Sequence, residues 1–316
     1  MHDPIASFLA QRSVMVLDGA MATELERRGA DLNDPLWSAK LLIENPAVIR
    51  EVHLDYFRAG ADVATTATYQ ATFEAFARRG IARQAAAGLM RGAVALAVDA
   101  RDEFWSVAPN RAGRLRPLVA ASVGPYGAML ADGSEYSGHY GLDEAALADF
   151  HRPRLRALAD SGADLLACET IPSFTEARVL ADLLSEFPAV YAWISFSCRD
   201  GARNCEGDDI GECAAGLQRY PQIAAVGVNC TPPQHIAPLL RRMHANTGKP
   251  LVVYPNSGEG FDASAKRWSG AADPSRFGEE ACIWHAAGAR LIGGCCRIGP
   301  TDIHRLKQCL QPETLG

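Results

Sequence analysis

Three of the nine cysteines stand out by where they fall in the chain. Cys230 closes the run Gly227-Val-Asn-Cys230, and Cys295 and Cys296 close Gly293-Gly-Cys-Cys296. Each run follows a short apolar stretch of the kind that forms a buried strand, so three thiols arrive at two strand ends. Three thiolates suit zinc, which takes soft sulfur ligands in a tetrahedron at about 2.3 Å. Three protein ligands leave the fourth position open, the pattern of a catalytic rather than a structural ion. Neighbouring side chains on a regular strand point to opposite faces, so Cys295 and Cys296 can share an ion only where the strand has ended. Gly293-Gly294 offers the backbone freedom for that turn.

Zinc carries two positive charges and three thiolates carry three negative ones. A substrate thiolate in the fourth position makes the cluster doubly negative, which keeps its sulfur electron-rich. A free thiol has a pKa near about 8.5 and is scarcely ionised at neutral pH. Coordination removes that proton outright. The site is therefore suited to activating a thiol for attack on carbon, and poorly suited to making hydroxide. Of the other cysteines, Cys168, Cys198, Cys213, Cys282 and Cys309 read as small core residues. Cys205, in a polar loop, reads as an exposed thiol and a poor fourth ligand.

Eight apolar, β-branched runs must position these groups: 14–18, 62–68, 118–122, 164–168, 190–197, 224–229, 251–254 and 290–292. Their continuous apolarity suits strands buried on both faces, as in a parallel sheet. Amphipathic stretches between them predict helices over 22–28, 46–59, 81–104, 143–160, 173–187, 233–246 and 274–287. Asn45, Asp143 and Asp273 stand at predicted helix starts. The echo Ala59-Gly-Ala-Asp62, Ser161-Gly-Ala-Asp164 and Ala287-Gly-Ala-Arg290 puts a glycine between helix and strand, where a left-handed residue ends the helix. Repeated strand–helix alternation predicts one α/β domain over residues 1–316, a single (β/α)₈ TIM-type barrel. The open doubly wound sheet is the rival, but no G-x-G-x-x-G follows the first strand. Long connections at 19–45, 124–142 and 256–273 are expected on the C-terminal rim, where such barrels build their sites. The strand ends there also deliver Asp18, Gly19 and Glu169.

The chain has 316 residues, 48% hydrophobic and 22% charged, with a net charge of -6. That balance gives no basic surplus for nucleic acid and suits small-molecule ligands. No basic-then-apolar leader opens the sequence and no window is apolar enough for a bilayer, so a reducing, cytoplasmic setting is expected, with no membrane partner.

The stretches LDGAMATELERRG from Leu17, NDPLWSAK from Asn33, VHLDYFRAGADVATTATYQAT from Val52, ASVGPYGAMLADGSEYSG from Ala121, GADLLACETIPSF from Gly162, LVVYPNSGE from Leu251, GVNC and GGCC resemble the homocysteine S-methyltransferase family. The branch most resembled uses S-methylmethionine, and the resemblance covers nearly the whole chain. It implies one Zn²⁺ held by Cys230, Cys295 and Cys296, with methyl transfer from a sulfonium donor to the thiolate of L-homocysteine, forming methionine. S-methylmethionine and S-adenosylmethionine are both such donors. It implies that Glu169 binds the homocysteine ammonium, that Asp18 with the Gly19 backbone forms a second anchor, and that Thr66 is a further substrate contact. Trp37, Tyr69 and Tyr126 are candidates to line the donor pocket, since ring faces attract cations. The segment 198–209 departs from the family's pattern. Alternatives are a betaine- or selenocysteine-type methyltransferase of the same family, or a metal-dependent hydrolase. The latter needs histidines at strand ends, whereas His53, His151, His235, His244, His285 and His304 fall on predicted helices.

Overall fold

The computed structural model describes residues 2–32, 34, 36–262, 267–269 and 276–311. Its eight parallel strands are, in chain order, Met15–Val16, Val63–Thr65, Leu118–Val123, Leu165–Ile171, Ala192–Phe196, Ile223–Asn229, Leu251–Tyr254 and Ala289–Ile292. Each pairs in parallel with its chain neighbours, and strand eight pairs with strand one. Strands one and two meet through the Leu17–Val63 bridge, where Asp62 N donates to Val16 O at 2.7 Å and Asp18 N to Val63 O at 3.1 Å. The barrel anticipated from the alternation is thereby closed.

Alternation along the strands separates two buried layers. Met15, Leu17, Val63, Ala120, Leu165, Ala167, Trp193, Val252 and Leu291 fill the barrel interior. Val14, Val16, Val119, Ala121, Leu166, Ile194, Val226 and Val253 face the surrounding helices. The interior layer also takes Ile5 and Phe8 from an N-terminal helix, Pro4–Leu9. The sequence reading held no such helix. A one-turn amphipathic segment is too short to show a period, and its role as a plug depends on the barrel.

The helix Pro46–Ala59 begins after Asn45 as expected, and the helices Arg83–Ser106, Glu144–Ala159, Phe174–Leu184, Pro233–His244 and Phe277–Ala286 match predicted ones within a turn. Asp273 lies outside the described residues. Gly60, Gly162 and Gly288 have φ of 116°, 88° and 110°, the left-handed conformation their positions called for. The six histidines do fall on helices. Two helices of eight or more residues had no predicted range, although His304 was expected to fall on a helix. Ile210–Leu217 carries two glycines that weaken its helical signal and begins on the side chain of Asp209; Pro300–Leu310 starts after Gly299. The connection after strand seven contains an antiparallel pair, Gly260–Asp262 with Arg267–Ser269.

Cys168, Cys198 and Cys213 are buried as expected, but Cys282 and Cys309 are joined in a disulfide between the last two helices, with Cys309 exposed. Helix periodicity cannot reveal that two outward positions of neighbouring helices face one another. Among the described residues no helix is long and apolar enough to cross a membrane.

Asp143 caps the helix Glu144–Ala159 by accepting from Ala146 N at 2.8 Å. Asp143→Ala should cost about 1 kcal/mol, read as a lower denaturant midpoint with unchanged slope.

Candidate metal centre and its carboxylate pocket

Strand six ends at Asn229, and the next residue turns the chain. Cys230 has a φ of 47°, a left-handed conformation that a non-glycine residue adopts only where its surroundings hold it. Cys230 N donates to Tyr254 O at 3.1 Å. The Asn229 side chain ties this corner down, accepting from Thr170 N at 2.7 Å and Ser195 Oγ at 2.9 Å and donating to Thr170 Oγ1 at 2.7 Å. Thr170, which follows Glu169, is itself left-handed with a φ of 61°. One buried amide therefore joins two strained corners, one behind a cysteine and one behind a carboxylate.

Strand eight stops at Ile292, as the cysteine argument required. Cys295 N donates to Pro255 O at 2.7 Å and Ile298 N to Cys295 O at 3.0 Å, closing a turn over 295–298 with Arg297 left-handed. Gly293 and Gly294 serve this turn through space rather than through unusual φ. A Cβ at Gly293 would sit 2.5 Å from Leu17 Cβ, and one at Gly294 would sit 2.2 Å from Ile298 Cγ2. Gly19 has the same need, since its Cβ would lie 2.4 Å from Ile298 O. The two segments are stitched by Gly294 N to Asp18 O at 3.0 Å and Ala20 N to Ile298 O at 2.8 Å. The Tyr56 hydroxyl lies 3.1 Å from both Ala20 O and Ile298 O.

The result brings the three sulfurs together. Cys230 Sγ lies 2.9 Å from Cys295 Sγ and 3.6 Å from Cys296 Sγ, with 3.9 Å between the last two. They form the one group of histidine, cysteine and acidic side chains, among the described residues, that can hold a metal ion. A tetrahedron with bonds of about 2.3 Å has an edge of about 3.8 Å. Two of the three edges fit it, and the Cys230–Cys295 edge must open slightly to admit an ion. Cys230 is the most acidic of the three, held well below the ordinary thiol range because Cys295, Cys296 and Tyr136 donate to it. The Tyr136 hydroxyl is 3.3 Å from Cys230 Sγ.

Beside the sulfurs sit two carboxylates without a cation. Asp18 is 4% exposed and accepts from Thr65 N at 2.7 Å and Thr65 Oγ1 at 2.8 Å. Burial, with repulsion from Glu169, pushes its carboxyl up to about 8 despite those bonds. Glu169 accepts from Ser122 Oγ and from the Tyr254 hydroxyl, and burial pushes it up to about 7. Neither is in an ion pair among the described residues. An ammonium entering between them would remove the repulsion and supply charge-assisted hydrogen bonds.

Thr66, also expected near substrate, uses its hydroxyl within the fold, contacting Thr68 Oγ1 at 2.7 Å and accepting from Ser122 N at 3.2 Å. Tyr69 lies within the charge field of Glu135, Cys230 and Glu169 and hydrogen-bonds Thr170. Tyr126 packs its ring against Tyr140 and Phe150, at 5.3 Å and 5.0 Å between centroids. Trp37 begins a 3₁₀ turn, Trp37–Lys40, and its side chain is outside the described ones. Cys205 is half-buried rather than exposed, and burial pushes its thiol up to about 11. Thr65, Ser122, Glu135 and Tyr136 were missed. All lie inside stretches already noted for resemblance, but their partners come from other strands, which spacing does not disclose.

A model of the family described as homocysteine S-methyltransferase matches residues 15–310. The chain belongs to the homocysteine S-methyltransferase family. Homocysteine S-methyltransferase YbgG of Bacillus subtilis (strain 168) is 55% identical over 304 residues, 96% of each chain. Homocysteine S-methyltransferase of Escherichia coli (strain K12) is 50% identical over 307 residues, 97% of this chain and 98% of that one. The crystal structure of the homocysteine methyltransferase MmuM from Escherichia coli in its metallated form matches with a TM-score of 0.87 at 49% identity, over 96% of this chain and 99% of that one. The thiol methyltransferase class expected from the sequence is the class of this family.

A carboxyl raised in the fold costs stability once it must ionise. Asp18 binds its proton to about 8 in the folded chain and to about 4 in the unfolded one, so folding stability falls as pH rises through that window. Asp18→Asn should therefore melt higher than the parent at pH 8, by roughly 2 °C or more, with the gain vanishing near pH 4. Equal melting curves at pH 8 would contradict the raised carboxyl.

Proposed function

We propose that the protein works as one domain and transfers a methyl group from a sulfonium donor, S-methylmethionine in the first instance, to the thiol of L-homocysteine. Methionine would form, with one Zn²⁺ per chain held by Cys230, Cys295 and Cys296. The single observation that carries this reading is the joining of a three-sulfur group to two uncompensated carboxylates. That arrangement suits a substrate with a thiol at one end and an ammonium at the other. That the Escherichia coli relative has a metallated form supports a bound metal.

When bound, zinc would supply a fourth position that takes the homocysteine sulfur, strips its proton and keeps it nucleophilic. The rest falls to the chain's own groups. Asp18 and Glu169 would hold the ammonium and aim the side chain at the sulfurs, with Thr65, Ser122 and Tyr254 fixing the two carboxylates. The Gly19 backbone would help anchor the same amino-acid end. Tyr69 would form a wall of the donor pocket, with Trp37 and Tyr126 further candidates. The new bond joins the homocysteine sulfur to the methyl carbon. The methyl–sulfonium bond breaks and its electron pair stays on the donor sulfur, which leaves as a neutral thioether. The thiol proton passes to solvent. No general acid is needed, because the donor's positive charge already lets its sulfur depart as a neutral thioether. Catalysis is then mostly positioning.

A reducing, cytoplasmic setting belongs to this proposal, since the three site sulfurs are free thiols that oxidation would take from the metal.

Cys230→Ala, Cys295→Ala or Cys296→Ala should each lower zinc content and abolish methionine formation while the far-ultraviolet circular dichroism stays unchanged. Retained zinc and turnover in all three would refute the assignment. Methionine, which has the same ammonium but no thiol proton, isolates the carboxylates. Asp18 and Glu169 lie at about 8 and about 7 when empty, so each must lose a proton to pair with the ammonium. Methionine affinity should therefore fall as pH drops from 8 to 6, by up to about tenfold per unit for each proton released. Glu169→Gln should flatten that dependence, and calorimetric titration reads both.

A further inference from the structure

The 3₁₀ turn Ser134–Tyr136, in the connection after strand three, roofs the sulfur group. It is held there by its backbone. Ser197 Oγ donates to Glu135 O at 2.9 Å, and a Cβ on Gly127 would lie 2.5 Å from Glu135 N, so the turn rests directly on that glycine. The neighbouring Tyr136 reaches Cys230. The Glu135 side chain is held in the same place, and its Oε2 is buried without a hydrogen-bond partner among the described residues. Among the described residues no arginine, lysine or histidine forms an ion pair with it. A buried carboxylate oxygen left unpaired is costly to keep unless something cationic arrives.

Glu135 comes from a different part of the chain than the ammonium pocket. Asp18 and Glu169 belong to the ends of strands one and four, whereas Glu135 lies in the connection after strand three, and the charges acting on it are those of Cys230 and Asp132. Homocysteine bears one ammonium, which the pair already satisfies. In-line displacement puts the donor's positive sulfur just beyond the methyl carbon from the homocysteine sulfur, so the donor must bind beside the sulfur group, which the Ser134–Tyr136 turn covers. Arg297, beside Cys296, is already paired with Glu259, so the unpaired Glu135 oxygen is matched to a second cation.

We propose that Glu135 is a specificity-determining residue that supplies the counter-charge for the sulfonium of the methyl donor, an inference that rests on the sulfonium-donor reading above. The sign of the charge change sets its kinetic role. The donor sulfur is fully positive on binding, partly positive at the transition state and neutral afterwards. An attraction that fades along the reaction strengthens donor binding without accelerating transfer, and releases the thioether product.

The test uses the zinc-loaded enzyme with S-methylmethionine. In Glu135→Gln, calorimetric donor affinity should fall about tenfold or more and the donor KM should rise in parallel, while kcat holds or increases. Glu135→Asp should fall between the two. Zinc content and homocysteine KM should not change. A donor affinity unchanged in Glu135→Gln, with the parent binding normally, would overturn the proposal alone. Loss of zinc would make Glu135 a ligand instead, and a raised homocysteine KM would move it to the ammonium pocket; either result overturns it. Failure of the parent itself to bind or use a sulfonium donor would bring down the reading on which the proposal stands.

Discussion

Three sulfurs can share one ion only if the ends of strands six and eight are held within a few ångströms, and backbone hydrogen bonds do that holding. Strand seven lies between the two. It accepts from Cys230 at Tyr254 and from Cys295 at Pro255, so successive carbonyls of one strand end set the spacing of two of the cysteines. Strand one closes the other side, through Asp18 O and Ala20 N, and brings the first carboxylate with it. Ligand placement thus follows from the order of strands six, seven, eight and one around the barrel. Glycine at 19, 293 and 294 is what lets those segments approach closely enough.

Charge gives the centre its chemistry and its cost. Asp18, Glu169, Glu135 and the cysteine thiols share one mouth, and each carboxyl is pushed upward because burial disfavours its charged form. A protein selected for stability alone would not gather them. The cost is recovered when cations arrive, and both substrates of the proposed reaction carry them. A negative cluster also discriminates by sign, since a neutral thioether loses the attraction that drew in the sulfonium. Product release and substrate preference then come from the same electrostatics.

Much of the frame was legible in the sequence because it rests on periodicity and on local backbone needs. Continuous apolar runs marked all eight strands, and the Ala-Gly-Ala echo marked left-handed glycines at 60, 162 and 288. The cysteine trio was legible because its residue types are rare and each sits just past a strand. Less accessible was anything decided by a partner distant in sequence. Thr65 rather than Thr66 orients Asp18, since only its hydroxyl falls opposite the carboxylate across the gap between strands one and two. Glu135 and Tyr136 sit in a loop whose path is set by Gly127 and Ser197. Cys282 and Cys309 looked like core residues because small thiols usually are, yet each lies off the buried face of its helix.

Gly293-Gly294 illustrates how a correct expectation can rest on the wrong cause. The pair was read as a hinge that frees the backbone to turn. The turn itself is made by a left-handed Arg297, and the glycines are there because neighbouring atoms occupy the space a Cβ would need. Strain is carried instead by Cys230 and Thr170, residues that cannot be glycine because their side chains are used. A left-handed corner at Cys230 breaks the alternation of strand six, so the thiol is not bound to the face that a continuing strand would impose. The same device at Thr170 interrupts the register of strand four directly after Glu169, before pairing resumes at Ile171. Local strain of this kind costs about 1–3 kcal/mol per residue, and it persists here because the Asn229 side chain satisfies Thr170 while Cys230 N donates to Tyr254 O. Asn229 therefore joins the corner that carries Cys230 to the corner that follows Glu169.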